Sequence, residues 1–177
     1  MVAAVVLAAG ASTRFGSPKQ RLLLGEVLGR VRAARSIDEI VVVLGAHEVE
    51  TDARIVPCAD WERGPGASLR CGLDALGPEV GAAAVVLADG PDLAPAAVDR
   101  LVEAWRAGRG EVLAASYGGV RGHPVVLGRA AWGRVPDDGA RALEPVLVAC
   151  DDLGSPGDVD FADDLPGRLL PGDGEQK

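Results

Sequence analysis

Two cations, Arg14 and Lys19, lie five residues apart in a stretch of small residues that follows an apolar N-terminal segment. The apolar segment, Val2–Leu7, is too short for a helix of any length and predicts a buried strand. The small residues after it let backbone N–H groups approach a ligand closely, and two cations beside them suit a polyphosphate. An ordinary strand–turn–helix connection with two solvated cations would have the same spacing, so spacing alone leaves both interpretations open.

Two common phosphate-binding motifs are absent from this stretch. The Walker A motif needs Lys directly after its second Gly, but Gly10 and Gly16 are separated by five residues and Lys19 does not follow Gly16 directly. The dinucleotide fingerprint Gly-x-Gly-x-x-Gly is absent as well. These two absences argue against the P-loop ATPases and the NAD-dependent dehydrogenases.

A carboxylate, Asp89, ends a second apolar segment, Ala82–Ala88. Burying a carboxylate there is costly unless it meets a cation or water. One interpretation is a Mg²⁺ ligand, because Mg²⁺ takes one or two carboxylates together with substrate phosphate oxygens. The other is an aspartate of a turn or helix cap, which the sequence Asp-Gly-Pro-Asp favours when it is taken alone.

Two further polar stretches occur later in the chain. The first opens a predicted strand with Arg121, Gly122, His123 and Pro124. His123 is a candidate contact for an anionic or heterocyclic substrate, although a lone histidine at a strand start is more often a surface or packing residue. The second stretch, 158–165, is rich in carboxylates. It is either a solvated acidic turn or a segment that brings Asp160 to the same metal as Asp89.

The elements that must position these residues alternate between strands and helices. The predicted strands are Val2–Leu7, Ile40–Leu44, Ile55–Val56, Ala82–Ala88, Glu111–Ser116 and Pro124–Leu127. Helical spacing occurs over Gln20–Leu24, Glu26–Arg35, Ala67–Leu76, Pro95–Arg106 and Ala140–Ala149, with Gly25 and Gly29 weakening the first helix. The alternation predicts an α/β fold with three αβα layers and a mostly parallel, Rossmann-like sheet. Ligands of such sheets bind outside the carboxyl ends of the strands, where residues 9–19 and Asp89 fall.

Composition narrows the function classes. The chain has 177 residues and predicts a single domain over residues 1–165, with a Pro/Gly-rich acidic tail, 166–177, expected to be mobile. A net charge of −8 argues against a general nucleic-acid surface, which needs an excess of Lys and Arg. No apolar run approaches the ~20 residues of a membrane span. Arg14 interrupts the apolar N-terminus, so we expect no export signal.

The cysteines add an expectation about the compartment. Cys58, Cys71 and Cys150 are odd in number, widely spaced and without a Cys-x-x-Cys pair. This pattern is typical of a reducing cytoplasm and argues against both a disulfide framework and a zinc site. We therefore expect a cytoplasmic protein that binds neither nucleic acid nor a membrane.

Taken together, these stretches resemble the MobA-like nucleotidyltransferases of the molybdenum cofactor pathway, in particular molybdenum cofactor cytidylyltransferases. Leu7–Lys19 meets the family pattern L-A-[AG]-G-x-S-x-R-[MF]-G-x-x-K at every fixed position. Cys58–Leu73 is similar to the segment N-P-x-W-x-x-G-M-x-x-S-L-R-x-G-L. Four further segments follow in the family order, similar to D-x-P, R-G-H-P, G-D-x-G-A-R and I-D-T-P-E-D-L, at residues 89–91, 121–124, 138–141 and 159–165.

The resemblance implies a fold of the nucleotide-diphospho-sugar transferase type and a Mg²⁺-dependent reaction. NMP, here CMP from CTP, would pass to a phosphorylated acceptor such as molybdopterin, with release of pyrophosphate. The implied catalytic residues are Arg14 and Lys19, and the implied nucleotide-binding residues are Leu7, Ala8, Ala9, Gly10, Ala11, Ser12 and Ser68, the last where the family reads the base. Asp89 and Asp160 take the metal positions, and Arg121, Gly122, His123 and Pro124 line the acceptor pocket. A molybdoenzyme or its maturation chaperone is a candidate partner.

The base preference depends on one residue. The Ala8-Ala9-Gly10 form of the loop resembles the cytidylyl branch, whereas guanylyl-transferring relatives usually carry Ala-Gly-Gly. Departures from the family pattern are the shortened connections after Leu24 and His47, together with Cys58, Pro65, Phe161 and Ala162 at positions of other family residues. Two alternatives stay open: a guanylyltransferase acting on another small phosphorylated metabolite, and a non-catalytic nucleotide-binding accessory domain.

Overall fold

The computed structural model describes residues 1–11 and 20–169, which form one mixed sheet with helices on both faces. The strands are β1 (Val2–Ala8), β2 (Glu39–Leu44), β3 (Arg54–Pro57), β4 (Ala82–Leu87), β5 (Val112–Tyr117), β6 (Val120–Gly128) and β7 (Val146–Ala149). The helices are α1 (Gln20–Ala33), α2 (Pro65–Asp74) and α3 (Pro95–Arg106). Short 3₁₀ turns cover Trp61–Arg63, Arg129–Arg134, Ala140–Ala142, Asp151–Leu153, Ala162–Asp164 and Gly167–Leu169.

The strand order is β3-β2-β1-β4-β6-β5-β7. β6 runs antiparallel to β4 and β5, and the other neighbouring strands are parallel. The start of β6 therefore lies at the same edge of the sheet as the carboxyl ends of β1 and β4. The prediction of a mostly parallel α/β fold is confirmed, and the single reversed strand adds a chain start to the edge where ligands bind.

The layers follow from alternation along the strands, since successive side chains point to opposite faces. Val2, Ala4 and Val6 of β1 belong to the core that α1 and α3 cover. Ala3 and Val5 belong to the core on the other face, with α2. Because aromatic residues make up only 3% of the chain, Val, Leu and Ala fill both cores.

Helix α2 lies unusually close to the sheet. A Cβ at Gly72 would lie 2.5 Å from Val5 Cγ1 and 2.8 Å from Val43 Cγ2, so the backbone of α2 occupies the space of a side chain there. Leu69 and Leu73 on either side are almost fully buried against the same strands. The close contact fixes the position of the helix that carries Ser68.

The predicted helix over Ala140–Ala149 is wrong. The chain makes one 3₁₀ turn over Ala140–Ala142 and then forms strand β7, which pairs in parallel with β5. Pro145 lacks an N–H and disfavours a helix at the middle of this stretch. Val146–Val148 supplies the apolar, largely β-branched side chains that favour a strand. Helical periodicity over a short apolar run did not distinguish the two possibilities.

Helix α1 continues through Gly25 and Gly29, which the sequence suggested would weaken it. A Cβ at either glycine would meet nothing within 4 Å, so close packing does not require these glycines. The buried side chains Leu24, Val27 and Val31 hold the helix against the sheet instead. Tertiary burial outweighs the low helix propensity of glycine here.

The expectation that the cysteines form no disulfide is also wrong. Cys58 and Cys71 form a disulfide bond, with their Cα atoms 5.8 Å apart. The chain after β3 turns back beneath α2 and brings the two residues together, which the 13-residue separation does not reveal. Cys150 is free and buried. Among residues 1–11 and 20–169, no helix has the length and apolar character needed to cross a membrane.

Candidate active site

The opening loop, residues 9–19, leaves the sheet at the carboxyl end of β1. The carbonyl oxygen of Ala9 accepts a hydrogen bond from the N–H of Ala46, 3.1 Å away. Gly45 makes this contact possible, because a Cβ there would lie 2.8 Å from the oxygen of Ala9 and 2.6 Å from the Cβ of Trp61. The chain after β2 thus supports the start of the loop.

Two side chains hold the loop further along. Gln20, the first residue of α1, is only 4% exposed and donates from Nε2 to the carbonyl oxygen of Gly10 at 2.6 Å. Nε2 of His47 hydrogen-bonds the carbonyl oxygen of Ala11 at 2.9 Å. Sequence reasoning assigned no role to Gln20 or His47. A polar residue at the buried start of a helix, directly after a cationic loop, is the signal that could have identified Gln20.

The predicted nucleotide-binding residues fall partly on this framework. Leu7 and Ala8 end β1, and the backbone of Ala9, Gly10 and Ala11 carries the hydrogen bonds just described. Ser12, Arg14 and Lys19 lie outside the described residues. Their assignment to phosphate binding stays a prediction from the sequence.

The two predicted metal ligands lie on segments that run side by side. The N–H of Val159 donates to the carbonyl oxygen of Asp89 at 3.1 Å, and the N–H of Asp92 donates to the carbonyl oxygen of Pro156 at 2.9 Å. Asp160 directly follows Val159, so residues separated by about seventy positions in the chain become neighbours beside the end of β4.

This arrangement fits Mg²⁺ better than a metal held by protein alone. Within the ranges 1–11 and 20–169, no group of three or more His, Cys, Asp or Glu side chains could enclose a metal ion. Mg²⁺ is usually bound by one or two carboxylates, with waters and substrate phosphates supplying the other oxygens. Two carboxylates on adjacent segments, Asp89 and Asp160, are the donor set that this mode of binding needs.

A cleft opens where β6 begins, beside the same segments. The antiparallel register pairs Val85 with Val125, so His123 lies two residues further along, level with the end of β4. The cleft has a volume of about 360 Å³. It is lined by Tyr117, Val120, Arg121, Gly122, His123, Ser155, Pro156, Gly157 and Asp158. Three of the four predicted acceptor residues therefore line one cavity, and Pro124 follows them through a cis peptide bond.

His123 presents a buried polar atom at this cleft. Its Nδ1 is buried and has no hydrogen-bond partner in the described part of the chain. Burial lowers the pKa of His123 below the ordinary 6.5, against the opposing effects of the Val85 carbonyl and of the Asp158 and Asp89 carboxylates. The ring is therefore neutral near pH 7 and can accept or donate a hydrogen bond without carrying charge.

Tyr117 fixes the backbone around His123. Its hydroxyl donates to the carbonyl oxygen of His123 at 2.8 Å. A Cβ at Gly122 would lie 3.0 Å from ring atoms Cδ2 and Cε2 of Tyr117, so glycine lets the ring lie against the strand. Burial raises the pKa of Tyr117 to about 12, which keeps the hydroxyl protonated. The sequence analysis missed this residue and treated it as part of a turn.

Arg121 uses its guanidinium on the protein backbone. Nη1 donates to the carbonyl oxygens of Arg141 and Leu143 at 3.0 and 2.9 Å, and Nη2 donates to that of Ala140 at 2.8 Å. Burial lowers the pKa of Arg121. The residue therefore holds the turn that precedes β7 while its side chain lines the cleft. Direct contact between Arg121 and an acceptor stays a prediction.

Ser68 is buried in α2, the helix on the other side of this edge. The loop 135–139 lies across the start of α2, where the N–H of Gly66 donates to the carbonyl oxygen of Asp137 at 2.9 Å. A Cβ at Gly66 would overlap the carbonyl oxygen of Pro136 at 1.7 Å. Only glycine permits the contact, so the helix start and the loop are fitted to each other.

The same loop is tied to α2 by charge. Arg70 donates to the carbonyl oxygen of Val135 at 2.9 Å and forms an ion pair with Asp137, which also lies 3.5 Å from Arg63. These contacts lower the pKa of Asp137, chiefly through Arg70. Residues 135–143 thus connect α2, through Arg70, with β6, through Arg121.

Comparison with known proteins matches this architecture to a family. The model of the MobA-like NTP transferase domain matches residues 4–151. That range includes the opening loop, Ser68, Asp89 and the start of β6, and it ends before Asp160.

Solved structures and a curated relative agree with the match. Rv0371c from Mycobacterium tuberculosis H37Rv is 30% identical, with a TM-score of 0.76 and 96% of each chain covered. A structure of Rv0371C from the same organism in complex with manganese is 27% identical, with a TM-score of 0.67, and covers 96% of this chain and 97% of that one. The bifunctional protein GlmU of Cutibacterium acnes is 34% identical over 122 residues, which span 60% of this chain but only 29% of that protein.

Proposed function

Because the chain belongs to the MobA-like NTP transferase domain family, we propose that it transfers CMP from CTP to a phosphorylated small molecule such as molybdopterin, with release of pyrophosphate. The family is one of nucleotidyltransferases. The observation that carries the proposal is the meeting of four parts at one edge of the sheet: the base of the opening loop, the segments of Asp89 and Asp160, and the cleft at His123.

The chemistry must overcome repulsion between two anions. Each close pair of like charges costs about 4 kcal/mol at 4 Å with an effective dielectric constant of about 20. A phosphate nucleophile is already ionised, so the reaction needs no general base. Catalysis then depends on positioning and charge neutralisation. Arg14 and Lys19 supply two positive charges for the triphosphate, on a loop whose base is held by Gln20 and His47.

Asp89 and Asp160 would hold the Mg²⁺. When bound, the ion neutralises part of the charge on the phosphate oxygens and orients them. The manganese complex of Rv0371C supports the use of a divalent cation at this fold. The protein contributes the side-by-side segments that place the two carboxylates at one edge of the sheet.

The acceptor would occupy the cleft at the start of β6. His123 offers a neutral ring nitrogen there, which can hydrogen-bond a heterocycle or a phosphate without adding charge. Ser68 on α2 would contact the base, and Ala9 is the residue that favours cytidine. A molybdoenzyme or its maturation chaperone would then receive the product.

A panel of nucleotides tests the proposal. Pyrophosphate release is measured with CTP, GTP, ATP and UTP, each with and without a molybdopterin acceptor and Mg²⁺. Release that needs both CTP and the acceptor supports the proposal, and the Asp89→Asn variant provides the inactive control. Release with GTP instead would indicate a guanylyltransferase. Saturable nucleotide binding without turnover, with every acceptor tested, would indicate an accessory domain.

A further inference from the structure

Residues 156–169, here called the C-terminal strap, run from the acceptor cleft past Asp89 to helix α1. They lie beyond residue 151, where the match to the family ends. At one end the strap is bonded to the loop after β4 through two backbone hydrogen bonds, Val159 to Asp89 and Asp92 to Pro156. The strap is therefore attached directly to one of the predicted metal ligands and contains the other, Asp160.

An apolar contact anchors the strap to α1. Val159 is 3% exposed and Leu23 of α1 is fully buried, and the two form a small core of their own. Leu165 and Leu169 pack against that core. The tail predicted to begin at residue 166 thus includes residues that pack on the domain. Burial of Val159 in this core also determines where the next residue, Asp160, is placed.

Arg168 ties the strap to two other parts of the protein. Its Nη2 donates to Oδ1 of Asp92 at 2.6 Å and to the carbonyl oxygen of Pro91 at 3.3 Å. Its Nε lies 3.4 Å from Oε1 of Glu26 on α1. One guanidinium therefore joins the strap, the loop that carries Asp89, and the helix that follows the opening loop.

We propose that the C-terminal strap completes the divalent-cation site and that Arg168 is its positioning residue. The inference rests on the proposed function, which places the cation on Asp89 and Asp160. Asp160 lies between two attachments, the backbone bond at Val159 and the tie at Arg168, and these restrict how far it can move from Asp89. Groups that orient metal ligands contribute to affinity without touching the metal.

Binding of Mn²⁺ to the full chain with CTP present, measured by electron paramagnetic resonance, tests the inference. Arg168→Ala should weaken Mn²⁺ binding about tenfold, the lower end of the losses found for outer-shell partners. Arg168→Lys should recover part of the affinity, because an ammonium can still reach the Asp92 carboxylate. Surface ion pairs stabilise folds only weakly, so thermal unfolding should change little.

Arg100→Ala is the matched control. Arg100 also donates to an aspartate, Asp152, at 2.7 and 2.8 Å, but it joins α3 to the chain after β7 and has no described contact with the strap. Its loss should leave Mn²⁺ binding unchanged. Raising the Mg²⁺ concentration should restore turnover in Arg168→Ala, which a general loss of folding would prevent.

The failures of the two proposals can be distinguished. If Arg168→Ala binds Mn²⁺ as tightly as the wild type while Asp89→Asn does not bind it, the role of the strap is wrong and the metal site stands. If Asp89→Asn and Asp160→Asn both bind Mn²⁺ normally, the metal assignment in the proposed function is wrong. Equal weakening in Arg168→Ala and Arg100→Ala would show a nonspecific effect and overturn the inference.

Discussion

Arg121 on β6 donates a hydrogen bond from Nη2 to the carbonyl oxygen of Ala140, 2.8 Å away. Two more carbonyl oxygens of the same turn accept from Nη1. The strand that begins at the acceptor cleft is thereby connected to residues 135–143, whose other end lies on α2 beside Ser68. The two halves of the candidate site are linked by one arginine on each side, Arg121 and Arg70.

Replacing Arg121 with Lys should lower the free energy of unfolding by about 2 kcal/mol, because an ammonium cannot reproduce three bonds in the geometry of the guanidinium fork. Urea denaturation measures the change. Arg141→Ala is the control, since that side chain is largely exposed and lies 3.6 Å from Asp138. Equal stability of the two variants would show that the three bonds to carbonyl oxygens contribute nothing.

Asp89→Asn should reduce Mg²⁺-dependent turnover by at least about a hundredfold, because an amide replaces a charged oxygen ligand. The fold should persist, as judged by circular dichroism and the melting temperature. Asp74→Asn, at the exposed end of α2, should keep normal turnover. Near-normal turnover in Asp89→Asn would contradict its assignment to the metal.

Lys19→Ala should lower the rate by about two to three orders of magnitude, the effect of losing one electrostatic donor in an active site. Steady-state pyrophosphate release with saturating CTP measures it. Arg106→Ala, an exposed cation at the end of α3, is the control. A change below about threefold in Lys19→Ala, against the losses typical of such donors, would exclude Lys19 from catalysis.

Tyr117 offers a direct pH test, because it is the only tyrosine of the chain. Burial raises its pKa from 10.0 to about 12 in the folded protein. Between these values the unfolded chain loses the phenolic proton while the folded protein keeps it. The stabilisation is therefore complete below pH 10 and is lost as the pH rises through 12.

The ultraviolet absorbance of tyrosinate follows this titration without interference from other tyrosines. The midpoint should lie near 12 in the folded protein and near 10 after unfolding in urea. In the Tyr117→Phe variant the alkaline loss of stability should be smaller than in the wild type. A folded midpoint close to 10 would show that the ring is not protected.

The disulfide predicts a thiol count. Unfolded protein that has not been reduced should expose one reactive thiol, Cys150, and reduced protein should expose all three. The bond should stabilise the fold by about 3 kcal/mol, the magnitude for a closed loop of similar length. Reduction should lower the stability of the wild type and leave the double variant Cys58→Ser/Cys71→Ser unchanged. Three thiols before reduction would contradict the bond.

Local patterns were sufficient to predict much of the sheet. Val2–Leu7 and Ala82–Ala88 were assigned as strands from their apolar runs, and they become β1 and β4. Pro95–Arg106 was assigned as a helix with the bounds that α3 has. These features depend on residues close together in the chain, so the sequence contains the necessary information.

Distant pairings needed the structure. No local pattern shows that β6 runs antiparallel, that Pro145 begins a strand, or that Cys58 lies beside Cys71, because strand direction and proximity depend on elements far apart in sequence. The roles of Gln20, His47, Tyr117 and Arg168 likewise depend on bonds to distant backbone or side-chain atoms.

By itself, the sequence determined the family, the residue types at the site and most of the strands, since motifs and periodicity are properties of neighbouring residues. Only the tertiary structure decided that Val159 bonds to Asp89 and that His123 begins its strand at the same edge of the sheet. The physical reason is that chain folding, driven by burial of the two cores, brings together carboxylates and ring nitrogens that the sequence separates widely.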